Sequence, residues 1–146
     1  VLAQLGLKPA ISLSDIEEIR SGKIHGFGGE GSEHKTLKEY IASHPKLVGA
    51  KENGITEHIL LSGDRLVVWF PSSRIAVEVK PSISPDADIL RGLFQCVKYK
   101  ATLDAEAAIM GEKPEAKILL VISGKLSSSN KEIQKTLGVT VKCVSI

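Results

Sequence analysis

The residues best equipped for chemistry lie in the run Gly63-Asp-Arg-Leu-Val-Val-Trp-Phe-Pro-Ser-Ser-Arg-Ile-Ala-Val-Glu-Val-Lys80. Asp64, Glu78 and Lys80 are charges placed in or beside stretches otherwise built from β-branched and aromatic residues. Buried charge is costly unless it is paired or bound to metal, so these three side chains need an explanation. Two carboxylates with a backbone carbonyl nearby make an oxygen-rich site suited to Mg²⁺, a hard ion that keeps several of its waters. A neighbouring ammonium can position a water or offset charge on a phosphate. The plain alternative is an ordinary Glu–Lys or Asp–Arg pair at a strand edge.

Two short strands must position these groups. Residues 66–70 and 75–80 are apolar runs separated by the turn Pro71-Ser72-Ser73-Arg74. Side chains on a strand alternate between faces, so Glu78 and Lys80 share one. A hairpin around the turn brings Asp64, at the entrance of the first strand, within reach of both. Downstream, a long helix is expected at about 86–108, with Leu90, Leu93, Phe94, Val97 and Ala101 as its sheet-facing apolar stripe. Arg91, Gln95, Lys98 and Tyr99 fall on an adjoining face. A basic residue, an amide and a phenol so spaced can hold a DNA backbone or steady a phosphate, contacts that position a substrate without reading its sequence. Arg65, beside Asp64, joins Arg91 and Lys98 as a candidate nucleic-acid contact. A plain solvated face is the alternative.

Taken in order, Asp64, Glu78-x-Lys80 and Gln95-Cys-Val-Lys-Tyr99 resemble the PD-(D/E)xK nuclease superfamily. The last motif is similar to the Gln-x-x-x-Tyr of its RecB-type branch. The resemblance covers roughly residues 29–122. Gly63 stands where the motif has proline, and Val68 where some relatives carry a second acidic residue. The resemblance implies a restriction-endonuclease-like αβββαβ core with a mixed central sheet flanked by helices. It implies that Asp64, Glu78 and the Val79 carbonyl hold Mg²⁺ or Mn²⁺, that Lys80 acts beside the ion, and that Gln95 and Tyr99 support the site from the helix. The first helix of such proteins often supplies an acid or a histidine, which points to Glu33 as a further catalytic and metal-binding residue, with His34 as substitute. The implied activity is metal-dependent hydrolysis of DNA phosphodiester bonds. The alternatives are a catalytically inactive nuclease-like module that binds nucleic acid or a protein partner, a metal-dependent phosphoesterase with another substrate, and a structural interaction domain in which Asp64 and Glu78 are surface charges.

The rest of the chain sets bounds. A length of 146 residues suits one core, and apolar and charged fractions of 42% and 25% are those of an ordinary globular protein. A formal charge of +2 requires any basic surface to be local. Cys96 and Cys143 lack metal spacing and read as reduced core residues of a cytoplasmic protein. Neither a membrane-spanning apolar run nor a signal-peptide layout is found, so no membrane partner is expected. The chain begins at Val1 and reads as a piece of a longer protein, which allows further domains or a homodimer. Residues 1–30 read as an extension, with a short helix at 13–20 and a glycine-rich loop at 21–31. That loop has no Gly-Lys-Ser/Thr, so a phosphate cradle is disfavoured.

Residues 31–146 read as the nuclease-like domain. In it a helix from about 33 to 43 is capped by Ser32, with Leu37, Tyr40 and Ile41 as its stripe. A first strand is expected at 55–62, and a turn at 111–115. Lys117–Ile122 reads as a strand covered on both faces. A short helix capped by Ser129 runs to Leu137, and a last strand spans 139–144. Trp69 is a core residue or, if exposed, a platform for a base.

Overall fold

The strand Ile75–Lys80, β3, decides the architecture because both of its faces must be covered. Ile75, Val77 and Val79 point one way and Ala76, Glu78 and Lys80 the other, and every residue but Lys80 is fully buried. The computed structural model describes residues 31–112 and 115–146. The expected helix at 13–20 and the glycine-rich loop up to residue 30 lie outside the described residues, as do two residues of the turn expected at 111–115.

In the described part β3 is the middle strand of a five-stranded sheet, with β1 (Ile55–Ile59), β2 (Arg65–Phe70), β4 (Lys117–Ile122) and β5 (Thr140–Cys143) in spatial order of sequence. The β1–β2 and β2–β3 pairs are antiparallel, and the β3–β4 and β4–β5 pairs are parallel. Three helices flank it among the described residues: α1 (Ser32–Ser43), α2 (Asp86–Ile109) and α3 (Ser128–Leu137). The fold is α/β with a mixed sheet, in the expected order of helix, three-strand meander, long helix, strand, helix, strand. Among the described residues no helix is long and apolar enough to cross a membrane.

Each face has its own core. On one, Leu37 and Ile41 of α1 pack with Val68, Phe70, Val77, Val79 and Val121. On the other, Leu93 and Cys96 of α2 pack with Leu120 and Ile122, and further along Tyr99 and Leu103 pack with Leu66, Trp69 and Ala76. Trp69 is therefore a core residue, between His58, stacked on it at 6.1 Å, and the Arg74 guanidinium 5.9 Å from its ring centre.

Five local expectations are corrected. The buried face of α2 is Ile89, Gly92, Leu93, Cys96, Tyr99, Leu103 and Ala107, whereas Phe94 and Val97 are 53% and 41% exposed. Apolar residues cover so much of this helix that spacing alone left its rotation open. Tyr99 accordingly turns inward, away from Gln95 and Lys98, which stay exposed. The α3 cap is Ser127, whose hydroxyl accepts from the Asn130 N–H, two residues before the serine expected. Ser32 is already helical, and its hydroxyl donates to the Glu33 carboxylate at 3.0 Å. Cys143 lies exposed on the short edge strand β5, while Cys96 is buried. The first strand is also shorter than expected, ending at Ile59 before a tight turn.

Candidate active site

The β2–β3 ladder runs from Phe70–Ile75 to Val68–Val77 and stops, while the β3–β4 ladder continues to Lys80–Ile122. Among the described residues, Glu78, Val79 and Lys80 thus have β4 on one side and no paired strand on the other. The Lys80 carbonyl accepts from the Ser123 N–H on the β4 side at 3.1 Å. Carbonyls alternate along a strand, so the Val79 carbonyl faces the open side of this fork. The regular alternation of β2 also fails here. Leu66 packs with the α2-side cluster, while Val67 and Val68 both pack with the α1-side cluster.

Asp64 sits at the mouth of the fork on a turn that fixes it tightly. The Leu60 N–H donates to the Asp64 carbonyl at 2.8 Å, and the Gly63 N–H to the Leu60 carbonyl at 2.9 Å. Gly63 has φ 87°, a left-handed conformation that glycine adopts without strain. The Asp64 carboxylate accepts from the Ser62 hydroxyl at 2.7 Å and pairs with the Lys98 ammonium at 2.6 Å. Hydrogen bonds from Lys98 and Ser62 hold this carboxyl below the usual carboxylate range. The Tyr99 hydroxyl donates to the Arg65 carbonyl at 2.9 Å, which ties α2 to the residue next to Asp64. Burial, with Glu78 and Asp64 nearby, pushes the Tyr99 phenol far up, so it remains a neutral donor.

Glu78 lies deeper, 5% exposed. Burial raises its pKa to about 7, against the pull of Lys80, with Asp88 and Glu57 adding to the rise. The Lys80 ammonium stands 4.0 Å from Glu78 and 3.0 Å from Asp88, whose carboxylate also meets Arg91 at 3.0 Å. Burial opposes ionisation of Asp88, yet Lys80, Ser84 and Arg91 together hold its carboxyl below the usual range. The Lys80 stem runs beneath Gly92, where an added Cβ would come within 3.1 Å of Lys80 Cε and of Leu120 Cδ1. Glycine at this point lets α2 lie directly on the lysine.

Asp64, Glu78, Lys80, Lys98 and Tyr99 thus gather around one fork. The expected Asp64–Lys80 proximity takes another form, because Asp64 meets Lys98 while Lys80 meets Glu78 and Asp88. Gln95 is exposed on the outer side of α2, Arg91 braces Asp88, and Arg65 pairs with Glu57 at 3.5 Å. Glu33 is exposed at the start of α1, in a cleft of about 230 Å³ shared with Ser32, Pro81, Ser82 and Ser123. Three participants were not anticipated: Asp88, Glu57 and Lys38. Glu57 is a non-glycine residue with φ 59° in the middle of β1, and it holds the buried Lys38 at 2.8 Å. Asp88 carried a signal in its spacing, one helical turn before Arg91. Glu57 and Lys38 carried none, because their pairing joins residues 19 apart in sequence.

Among the described residues no group of three or more His, Cys, Asp and Glu side chains is arranged to hold a metal. The oxygen donors at the fork are instead two carboxylates, one buried and one a quarter exposed, and the outward-facing Val79 carbonyl. Hard donors next to an open side are compatible with Mg²⁺ or Mn²⁺, which retain water ligands. Comparison with protein-family models, with curated proteins and with solved structures returns no match.

Proposed function

We propose that this chain is a metal-dependent nuclease that hydrolyses DNA phosphodiester bonds, built on a restriction-endonuclease-like core. One observation carries the reading. The β2–β3 ladder stops at Val68–Val77, leaving Glu78 and Lys80 without a partner strand on the β2 side among the described residues, and Tyr99 of the Gln-x-x-x-Tyr motif braces Arg65, next to Asp64, across that opening. An isolated strand-edge ion pair would need neither the opening nor the brace.

In this reading Asp64, Glu78 and the Val79 carbonyl hold Mg²⁺ or Mn²⁺. The chemistry such an ion supplies is polarisation of the phosphoryl group and a lower pKa for the attacking water. Lys80 orients that water and offsets negative charge growing on the phosphorus oxygens. Asp88 and Gly92 hold the ammonium where it can do so. Glu78 must be ionised to bind a cation, and burial works against that in the metal-free protein. Tyr99 keeps the Arg65 backbone, and with it Asp64, in register with β3. Arg65, Lys98 and Arg91 offer positive charge to the substrate backbone, and Gln95 is exposed beside them on α2.

The test is cleavage of linear, supercoiled and single-stranded DNA with Mg²⁺ or Mn²⁺, with EDTA as control. Cutting is expected to be metal-dependent and to fall at least a hundredfold in Asp64→Ala and Lys80→Ala, roughly the loss when a group that stabilises the transition state is removed. Cutting that survives both substitutions would sink the reading. The second reading, an inactive module that binds nucleic acid, is favoured by the internal pairing of Asp64 with Lys98 and of Lys80 with Asp88. It predicts DNA binding without cutting.

A further inference from the structure

The Asp64–Lys98 pair is the shortest ion pair at the fork, at 2.6 Å, and it engages the carboxylate oxygen Oδ1. The other oxygen, Oδ2, is taken by the Ser62 hydroxyl. Both oxygens of the more accessible carboxylate are therefore occupied by donors from the protein itself. The two contacts differ in kind. Ser62 belongs to the same tight turn as Asp64 and cannot leave without disturbing it. Lys98 comes from α2 on a flexible four-carbon stem, and its side chain is 55% exposed. Its ammonium is the movable partner.

We propose that Lys98 couples metal binding to phosphate binding at this site, occupying the cation position on Asp64 until a divalent ion displaces it and then pairing with the substrate phosphate. The inference rests on the nuclease reading above and adds an order to it. A divalent ion and an ammonium held at one carboxylate repel each other, so metal binding on Asp64 favours release of the Lys98 ammonium. The released ammonium stands beside the exposed Gln95 on α2, next to a site where an anion would arrive. Nucleic-acid phosphate satisfies that ammonium and thereby removes part of the opposition to the metal. Coupling of this kind is reciprocal, so the metal must strengthen phosphate binding by the same factor.

The geometry supports an exchange more than a permanent bridge. Tyr99, next to Lys98 in sequence, anchors α2 through the Arg65 carbonyl, so the helix need not move when the ammonium does. The pair is partly exposed, and such pairs oppose displacement only modestly. A permanent structural bridge would be expected of a buried ammonium, as that of Lys38, 7% exposed, is against Glu57.

Mn²⁺ binding followed by the electron paramagnetic resonance signal of the free ion tests this without relying on cleavage. Wild type, Lys98→Met, Lys98→Arg and Asp64→Asn are titrated with and without a short phosphorothioate duplex that resists hydrolysis. Without DNA, Lys98→Met is expected to bind Mn²⁺ roughly two- to fivefold more tightly than wild type, the range for releasing a partly exposed ion pair. The duplex is expected to tighten Mn²⁺ binding in wild type and in Lys98→Arg, and to do so much less in Lys98→Met. Equal Mn²⁺ affinity in wild type and Lys98→Met, with binding lost in Asp64→Asn, would overturn the coupling and leave the nuclease reading standing. Mn²⁺ binding by none of the proteins, with or without DNA, would remove both.

Discussion

The two faces of β3 belong to one strand of six residues, yet they are built on opposite terms. Ile75, Val77 and Val79 meet α1 through an apolar core in which Leu37, Ile41, Phe70 and Val121 are almost completely buried. Ala76, Glu78 and Lys80 meet α2 with a small residue, a buried acid and a lysine whose stem lies under a glycine. The first face is what hydrophobic burial selects when stability alone is at stake. The second keeps a carboxyl that burial pushes to a pKa of about 7, against the folded state's interest at neutral pH. The contrast separates what holds the protein together from what it is proposed to do.

Substitutions on the two faces should therefore fail in different ways. Phe70→Ala, on the α1 face, is expected to lower stability by about 3–5 kcal/mol through lost burial and the cavity left behind. Chemical denaturation would measure this, and the protein that remains folded should keep its metal-dependent activity. Glu78→Gln should do the reverse, reducing cleavage at least a hundredfold while leaving the fold as stable or more so at pH 8.

The sign follows from where the proton sits. Unfolded Glu78 titrates near 4.5 and folded Glu78 near 7, so between those values the folded protein binds the extra proton. Its contribution to stability is present below the unfolded pKa and is lost as pH rises through the folded one. For a shift of this size the decline is on the order of 3 kcal/mol. Denaturation midpoints of the metal-free protein across pH 4 to 8, a span of roughly that window, should show the decline in wild type and much less of it in Glu78→Gln. A wild-type midpoint flat over that range would argue that Glu78 is solvated, and would blur the contrast between the faces. Tyr99→Phe is the mildest of the three. It removes one hydrogen bond, about 0.5–1.5 kcal/mol, and is expected to reduce cleavage roughly tenfold by loosening Arg65 and Asp64. An unchanged rate would show that α2 does not position the β2 side.

The parts of the fold that could be read from sequence are those whose neighbours in space are also neighbours in sequence. β3 and β4 lie at the expected boundaries because runs of Val, Ile and Leu ended by polar residues or proline leave little choice. The hairpin turn and the length of α2 follow from similarly local signals. The rotation of α2 was not legible, because choosing between the Phe94–Val97 side and the Cys96–Tyr99 side requires knowing that Gly92 must pass over Lys80. Asp64, Glu78 and Lys80 were recognisable by type and spacing, and the fork brings Glu78 and Lys80 together. Glu57 was hidden for a different reason. Nothing in Ile-Thr-Glu-His-Ile marks the third residue for a left-handed backbone, which ordinarily favours glycine. Lys38 followed it, since a helical lysine is expected in solvent until its partner is known. Ser129 was expected to cap α3, but tertiary placement of Asn130, whose side-chain amide reaches the Asp86 carbonyl at 3.1 Å, goes with Ser127 as the cap.

The early end of the β2–β3 ladder also has a mechanical meaning. Three residue pairs, all at the hairpin end, join the β1–β2 portion of the sheet to the β3–β4–β5 portion. The sheet is thus two leaves sharing a short seam, with Glu78 in the gap and the Tyr99–Arg65 bond as a strap across it. A load that spreads the leaves would pivot about Phe70 and Ile75, the pair beside the hairpin turn, and would open widest at Asp64. Small motions at the seam are therefore amplified where the carboxylates lie, and a group bound between Asp64 and the Val79 carbonyl would act as a clasp that closes the leaves.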